Sequence, residues 1–324
     1  MRAMRAESFT GYGALKLVEI PKPALANGRV LVRVTAAGVT PLDHTILSGH
    51  FPPSTAPLVL GNEGAGVVED PGGSSFPVGT RVMFFGPYGV SEDGTYSEWI
   101  AARGEDLCPI PDNVDDATAG GIPVAYLTAQ ITLTQAGFER GKYVLAPAIG
   151  GSVGNAVTQL ARAQGAGMAI STTTSRTKAE QARALGFEHV IDLSAEGLAD
   201  GVRRMTGGRG VDVVIESVGG ALTGQALGTL AVNGVLTTLG YSAGRKTTVD
   251  VTDLIWKHAR MSGFSLFAQS RAVRDAAWAT ILPLLASGAV KPIVERTFKL
   301  EESAEALRHL VEDRPFGRVV LARQ

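Results

Sequence analysis

The sequence predicts an α/β protein of two domains, one a doubly wound parallel sheet and the other a smaller, β-rich domain interrupted in sequence. Three observations predict it. A strand, a glycine turn, a helix and a second strand follow one another between Gly141 and Lys178; strands and helices alternate from about 121 to 263; short glycine-bounded strands fill the chain before that, and one more closes it. The expected boundaries are 1–120 with 264–324 for the β-rich domain and 121–263 for the doubly wound one.

The central unit opens with the strand Tyr143-Val144-Leu145-Ala146 and turns through Ala148-Ile149-Gly150-Gly151-Ser152-Val153-Gly154. A helix starting near Val153 follows, with Ala156, Val157, Leu160 and Ala161 at helical spacing and a stop at Gly165. Glycine lets backbone approach a pyrophosphate, and the helix N-terminus aims N–H groups at its charge. Ala148 stands where G-x-G-x-x-G has its first glycine, so the pattern is A-x-x-G-x-x-G. Its place between a strand and a helix, with a second strand on schedule, points to dinucleotide binding through Ala148, Gly151, Ser152, Val153 and Gly154.

The second strand ends in Ser171-Thr172-Thr173-Thr174-Ser175-Arg176-Thr177-Lys178, with no acid before Glu180. An NAD site places Asp or Glu about 20 residues past the glycine turn to hold the ribose hydroxyls. The hydroxyls of Thr173 and Ser175 and the cations Arg176 and Lys178 suit instead the 2′-phosphate of NADPH. Ser175 also reads as the cap of a helix beginning near Thr177, with Lys178 simply solvated, and both roles can hold together.

Alternation continues through a helix ending at Gly186, a strand at Val190-Ile191-Asp192, a helix from Leu198 to Met205, and strands at 211–219 and 235–240. Ligand belongs at the carboxyl ends of such strands. That places Ser217, Val218, Leu239, Gly240, Tyr241, Phe264 and Leu266 beside the cofactor. Arg260 to Phe267 reads as an apolar edge strand, a hazard if left bare. In the β-rich part, Val30–Val34 alternates, and strands are expected at 64–69, 79–84 and 94–100, with a turn at 71–75. The tail reads as a helix from Arg271 to Leu285, a strand at Ile293-Val294, a short helix from Ser303 to Leu310, and a closing strand 317–321 that returns to the first domain.

The 324 residues are 45% hydrophobic and 19% charged, enough for two cores, and the net charge of −1 without a basic run argues against nucleic acid or anionic membrane as partner. No apolar run is long enough to span a membrane, and the first residues lack a signal-peptide core. Cys108 is the single cysteine, so no internal disulfide and no thiolate cluster is expected. A cytoplasmic enzyme fits these features.

Four segments in order carry a resemblance: Ala36-Ala37-Gly38-Val39-Thr40-Pro41-Leu42-Asp43, Leu60-Gly61-Asn62-Glu63-Gly64-Ala65-Gly66-Val67-Val68, Ala148 to Gly154, and Gly317-Arg318-Val319-Val320-Leu321. Over nearly its full length the chain resembles the medium-chain dehydrogenase/reductase superfamily and, within it, the zinc-free quinone oxidoreductases of the zeta-crystallin type. The resemblance implies a Rossmann nucleotide domain and a GroES-like catalytic domain. Alcohol dehydrogenases of the superfamily ligate zinc at positions held here by Thr40, or a neighbour, and Asn62, so no metal is expected. His44, His50, His189, His258 and His309 are scattered, with no acidic partner at ligand spacing.

In the resembling reductases the loop after the first motif lines the substrate pocket. Matched to this chain, it supplies Thr40, Asp43, Thr45 and Phe51, with Leu47 in place of an arginine. Asn62, Tyr126 and Thr128 complete the set, Thr128 where the family meets the nicotinamide. Core packing is an equal reading of Tyr126 and Phe51, and Asp43 also reads as an acid that satisfies backbone N–H groups. The resemblance implies NADPH-dependent hydride delivery to a quinone or another conjugated carbonyl compound, by a homodimer paired along the 260–267 strand. Alcohol dehydrogenation is disfavoured by the missing ligands. An NADPH-binding regulator or crystallin-like protein with little turnover stays open because of the altered 45–51 loop.

Overall fold

In the computed structural model, which describes residues 1–323, Met1–Val124 forms one unit with the segment from Pro292 onward, and Ala125–Lys291 forms the other. The first unit opens with β1 (Arg2–Ala6) and β2 (Leu15–Glu19), an antiparallel pair. Then come β3 (Arg29–Gly38), α1 (Pro41–Leu47), β4 (Leu58–Val59), which adds to β1, and β5 (Glu63–Asp70). β6 (Arg81–Phe85), β7 (Trp99–Arg103) and β8 (Leu107–Pro109) follow. β5 and β7 pair with β3, β6 with β5, and β8 with β6, all antiparallel. The alternation at Val30, Val32 and Val34 turns these side chains onto Val68, Val82, Phe84 and Ile100 in one core.

The strand expected over 94–100 begins only at Trp99. Residues before it spend their side chains on neighbouring backbone: Thr95 Oγ1 donates to the Glu63 carbonyl (2.8 Å) and Ser97 Oγ to the Gly94 carbonyl (2.9 Å). The Ser97 bond is local, and bonds of that kind compete with a ladder.

After α2 (Asp116–Gly120) and α3 (Pro123–Gln135), the second unit runs β9 (Tyr143–Ala146), α4 (Ser152–Ala163), β10 (Met168–Thr173), α5 (Arg176–Ala184), β11 (Val190–Asp192), α6 (Leu198–Thr206), β12 (Val211–Glu216), α7 (Ala221–Gly228), β13 (Leu230–Thr238), α8 (Val251–Lys257), β14 (Arg260–Gly263) and α9 (Arg271–Ala286). Its strands are all parallel, in the order β11-β10-β9-β12-β13-β14. This is the doubly wound order that reverses beside the first strand, β9, where the ligand crevice lies. Leu145, Ile170, Ile191, Val214 and Leu236 fill its core. Ala156, Val157, Leu160 and Ala161 of α4 are buried, as the helical spacing predicts.

The chain returns to the first unit at Pro292, not near 264. Residues 264–291 stay with the nucleotide unit because they are bonded into it: Phe264 N–H donates to the Thr238 carbonyl (3.0 Å), and Lys291 N–H to Gln159 Oε1 (2.7 Å). Ala277, Ile281 and Leu285 of α9 are buried. The expected strand 260–267 is shorter, since the chain leaves the sheet after Gly263 and Leu266–Ala268 makes a 3₁₀ turn. β15 (Val294–Phe298), α10 (Ser303–Arg308) and β16 (Arg318–Ala322) finish the first unit, β16 lying between β15 and β3. Between α10 and β16, His309–Asp313 winds as a π-helical turn.

Candidate functional site

At the carboxyl end of β9 the backbone folds back on itself. Ala148 takes φ +65°, the left-handed region that glycine occupies freely and that costs an alanine about 1–2 kcal/mol. The turn is held from β10: Ala148 N–H donates to Thr172 Oγ1 (3.2 Å) and Ile149 N–H to the Thr172 carbonyl (2.8 Å). Gly154 is obligatory here, because a Cβ on it would lie 2.3 Å from the Pro147 oxygen and 2.5 Å from that of Ala148. The N-cap of α4 is Gly151, which offers no side-chain acceptor. The first-turn N–H groups of Ser152, Val153 and Gly154 therefore meet no capping oxygen, and the helix dipole favours an anion there. The cradle fits a pyrophosphate.

Beside it, the end of β10 carries Thr173, Ser175, Arg176 and Lys178. Ser175 Oγ accepts from Lys178 N–H (3.5 Å), so the capping role is present. Arg176 projects into solvent, its Nε 3.2 Å from Glu180 Oε1. Asp192 sits opposite Thr173 in the β10–β11 register, an acid the sequence reading did not weigh. Its Oδ1 accepts from the Ser194 hydroxyl (2.6 Å) and N–H (3.0 Å), which hold its pKa below the usual range.

The turns after β12 and β13 lie against each other. A Cβ on Gly240 would fall 2.0 Å from the Ser217 carbonyl oxygen, and Ala243 N–H donates to the Val218 carbonyl (2.8 Å). Ser217, Val218, Leu239, Gly240 and Tyr241 are thus gathered at one carboxyl edge with the glycine turn of β9. The Phe264 N–H donates to the Thr238 carbonyl just past the end of β14, and Leu266 is buried. Tyr126 and Thr128 of α3 are buried in this unit, the Tyr126 hydroxyl 3.4 Å from Gln159 Nε2.

In the first unit, Asp43 is wholly buried at the start of α1. Its Oδ2 accepts from Thr40 N–H (2.8 Å), Thr40 Oγ1 (2.7 Å) and Tyr96 OH (3.3 Å), and its Oδ1 from Gly61 N–H (3.1 Å). Burial pushes the Asp43 carboxyl and the Tyr96 phenol up, while the hydrogen bonds pull Asp43 back. Of the two roles expected for Asp43, the geometry carries the structural one: it joins α1 to the Gly61 turn. Thr40 is committed likewise, since its hydroxyl is donated to Asp43 and caps α1. Thr45 Oγ1 bonds the Pro41 carbonyl (2.9 Å), and Phe51 packs on the hydrophobic core of this unit. Asn62 differs: it is buried, and its Oδ1 has no partner among the described residues.

Glu63, which follows, is buried with Arg318 in an ion pair between β5 and β16, and its Oε2 accepts from Val124 N–H (2.7 Å). Gly38 permits this approach, because a Cβ there would lie 2.3 Å from Glu63 Oε1. His309 also departs from expectation, for it has acidic partners in Glu295 (2.9 Å) and Asp313 (2.7 Å). Among the described residues no group of three or more His, Cys, Asp and Glu side chains is placed to hold a metal ion. Thr40 and Asn62, at the positions of the expected zinc ligands, offer a hydroxyl and an amide, which do not fit zinc.

A doubly wound sheet with a phosphate cradle at its switch point, joined to an antiparallel unit that resumes after it, defines an oxidoreductase of the nicotinamide-dependent class. The alcohol dehydrogenase GroES-like domain family matches residues 26–112 and the zinc-binding dehydrogenase family residues 152–287. The chain is similar to a 2-haloacrylate reductase of a Burkholderia species, 31% identical over 92% of this chain and 91% of that one, and to a quinone oxidoreductase of Pseudomonas aeruginosa, 32% identical over 97% and 98%. Among solved structures it is similar to a mycobacterial protein in complex with NADPH (TM-score 0.88, 29% identity, both chains covered 100%) and to an NAD-dependent alcohol dehydrogenase (TM-score 0.90, 28%, both covered 100%). The chain belongs to the medium-chain dehydrogenase/reductase superfamily, in its quinone oxidoreductase-like group.

Proposed function

We propose that this chain is an NADPH-dependent, metal-free reductase that delivers hydride to a quinone or to another conjugated carbonyl compound such as an enone or enoyl substrate. The observation that carries the cofactor choice is the end of β10. A ribose 2′-phosphate there meets the hydroxyls of Thr173 and Ser175 and the cations Arg176 and Lys178, and no acid lies between the glycine turn and Glu180. The NADPH complex of the mycobacterial neighbour supports this choice, and the NAD-dependent neighbour makes it worth testing directly. The relatives' names support the acceptor class, since a quinone and a 2-haloacrylate both place a carbon–carbon double bond in conjugation with an electron-withdrawing group.

Bound NADPH supplies the hydride. The chain holds the pyrophosphate at the N-terminus of α4, and the antiparallel unit carries the substrate. Within the first unit, Asn62 is the side chain assigned to the developing oxyanion, with Phe51 as apolar lining; within the second, Thr128 is assigned to the nicotinamide, with Tyr126 as apolar lining. Asp43 and Thr40 bond each other, which leaves solvent as the source of the proton. A small molecule is the substrate, the cytoplasm is the compartment, and a second copy pairs along β14.

Equilibrium binding tests the reading. Arg176→Ala should weaken NADPH by about tenfold to a hundredfold, the worth of a charge-assisted hydrogen bond, and leave NADH nearly unchanged. Turnover of a quinone and enone panel with NADPH should survive EDTA. A parent protein that prefers NADH overturns the cofactor assignment, and NADPH binding without consumption of any acceptor overturns the reductase.

A further inference from the structure

The last residue of β12 is Glu216, and it is wholly buried. Glu216 Oε1 accepts from Val218 N–H (2.5 Å) and Gly219 N–H (2.8 Å). Oε2 accepts from Thr223 Oγ1 at the start of α7 (2.7 Å) and from Thr238 Oγ1 at the end of β13 (3.2 Å). Two donors on each oxygen satisfy the four acceptor sites of a carboxylate. Among the described residues no cation pairs with it. Its own carbonyl receives the Leu239 N–H (2.9 Å), so main chain and side chain together bind the turn after β12 to the end of β13.

That turn is unusual in shape. Gly219 and Gly220 both have positive φ, +81° and +62°, and a Cβ on Gly219 would meet the Tyr241 Cα at 2.6 Å. Without an acceptor at Glu216, the Val218 and Gly219 N–H groups lose their partner, and the path of Ser217 and Val218 is held only from the far side, where Ala243 N–H donates to the Val218 carbonyl (2.8 Å). A doubly wound sheet binds a dinucleotide in two halves, one over the β9-β10-β11 side and one over the β12-β13-β14 side.

We infer that Glu216 is a positioning residue for the nicotinamide half of the coenzyme site. It acts through the 217–219 and 239–241 turns and leaves the adenosine half untouched. The inference rests on the proposed NADPH reading. It is separable from stability because the two halves have separate probes: NADPH spans both, while adenosine 2′,5′-bisphosphate occupies only the β10 side.

Glu216→Ala should weaken NADPH by about tenfold or more, the consequence of two unpaired buried N–H groups, and leave adenosine 2′,5′-bisphosphate within about twofold. Glu216→Gln should restore NADPH to within a few-fold, since its amide oxygen accepts both N–H groups and its NH₂ can donate to the two threonine hydroxyls. Should Glu216→Ala not fold, Glu216→Asp, too short to reach both turns, is expected to give the same split. Equal weakening of both ligands, or none of either, overturns the assignment. A parent protein that binds neither ligand overturns the NADPH reading and this inference together, whereas the split pattern supports both.

Discussion

Asp43 accepts from four donors, two of them backbone N–H groups that can do nothing but donate. An amide at this position keeps one acceptor oxygen and turns an NH₂ toward donors. Asp43→Asn should therefore lower stability by about 1–3 kcal/mol, the cost of buried donors left unpaired, and thermal unfolding measures it. Activity lost at unchanged melting temperature and unchanged NADPH affinity would instead make Asp43 the proton donor. Ala148 is a second residue whose meaning depends on backbone: the letter departs from the glycine pattern, yet the φ of +65° preserves the conformation the pattern encodes. Thr172 stabilises that conformation through its hydroxyl and its carbonyl.

At the scale of elements, the turn 309–313 is tied to β15 by one imidazole. His309 Nε2 meets Glu295 and Nδ1 meets Asp313, and both ring nitrogens can donate only when the ring is protonated. The Glu295 hydrogen bond foremost, with that of Asp313, raises its pKa above 6.5. A group raised on folding contributes stability that is complete below its unfolded pKa and disappears as pH rises through the folded one. The difference in melting temperature between the parent and His309→Gln should accordingly be largest below about pH 6 and close on going alkaline. A difference that widens with pH contradicts the pairing. The cluster was not legible in sequence because Glu295 of β15 and the 309–313 turn are brought together only by the fold.

At the scale of the whole molecule, the second unit leaves one edge of its sheet uncovered. β14 is the last strand, and its Met261 is exposed; the adjoining α8 exposes Val251, Ile255 and Trp256, with Tyr241 and Phe267 also in solvent. Open strand edges and large apolar side chains at one place are stabilised by a second copy around a two-fold axis. Light scattering at micromolar concentration should report a dimer, and Trp256 fluorescence should shift to the red on dilution into monomer. A monomer at that concentration ends the proposal. No helix among the described residues is long and apolar enough to cross a membrane.

The doubly wound unit was legible in the letters, because strand and helix periodicities, glycine at turns and the hydroxyl-and-cation run after β10 are local properties that survive without tertiary contacts. The return of the closing strand to the first unit was legible as well. Tertiary structure alone decided which acids are structural. Asp43, Glu63 and Glu216 look alike in a string of letters, and each becomes a hub only when donors far along the chain, Tyr96, Arg318 and Thr238 respectively, are brought onto its oxygens. It alone decided that 264–291 stays with the nucleotide unit, since hydrogen bonds to Thr238 and Gln159 hold that segment and no composition change marks its end. The physical reason is the same in each case: burial makes an unpaired polar group costly, and which groups are paired depends on distance in space rather than separation along the chain.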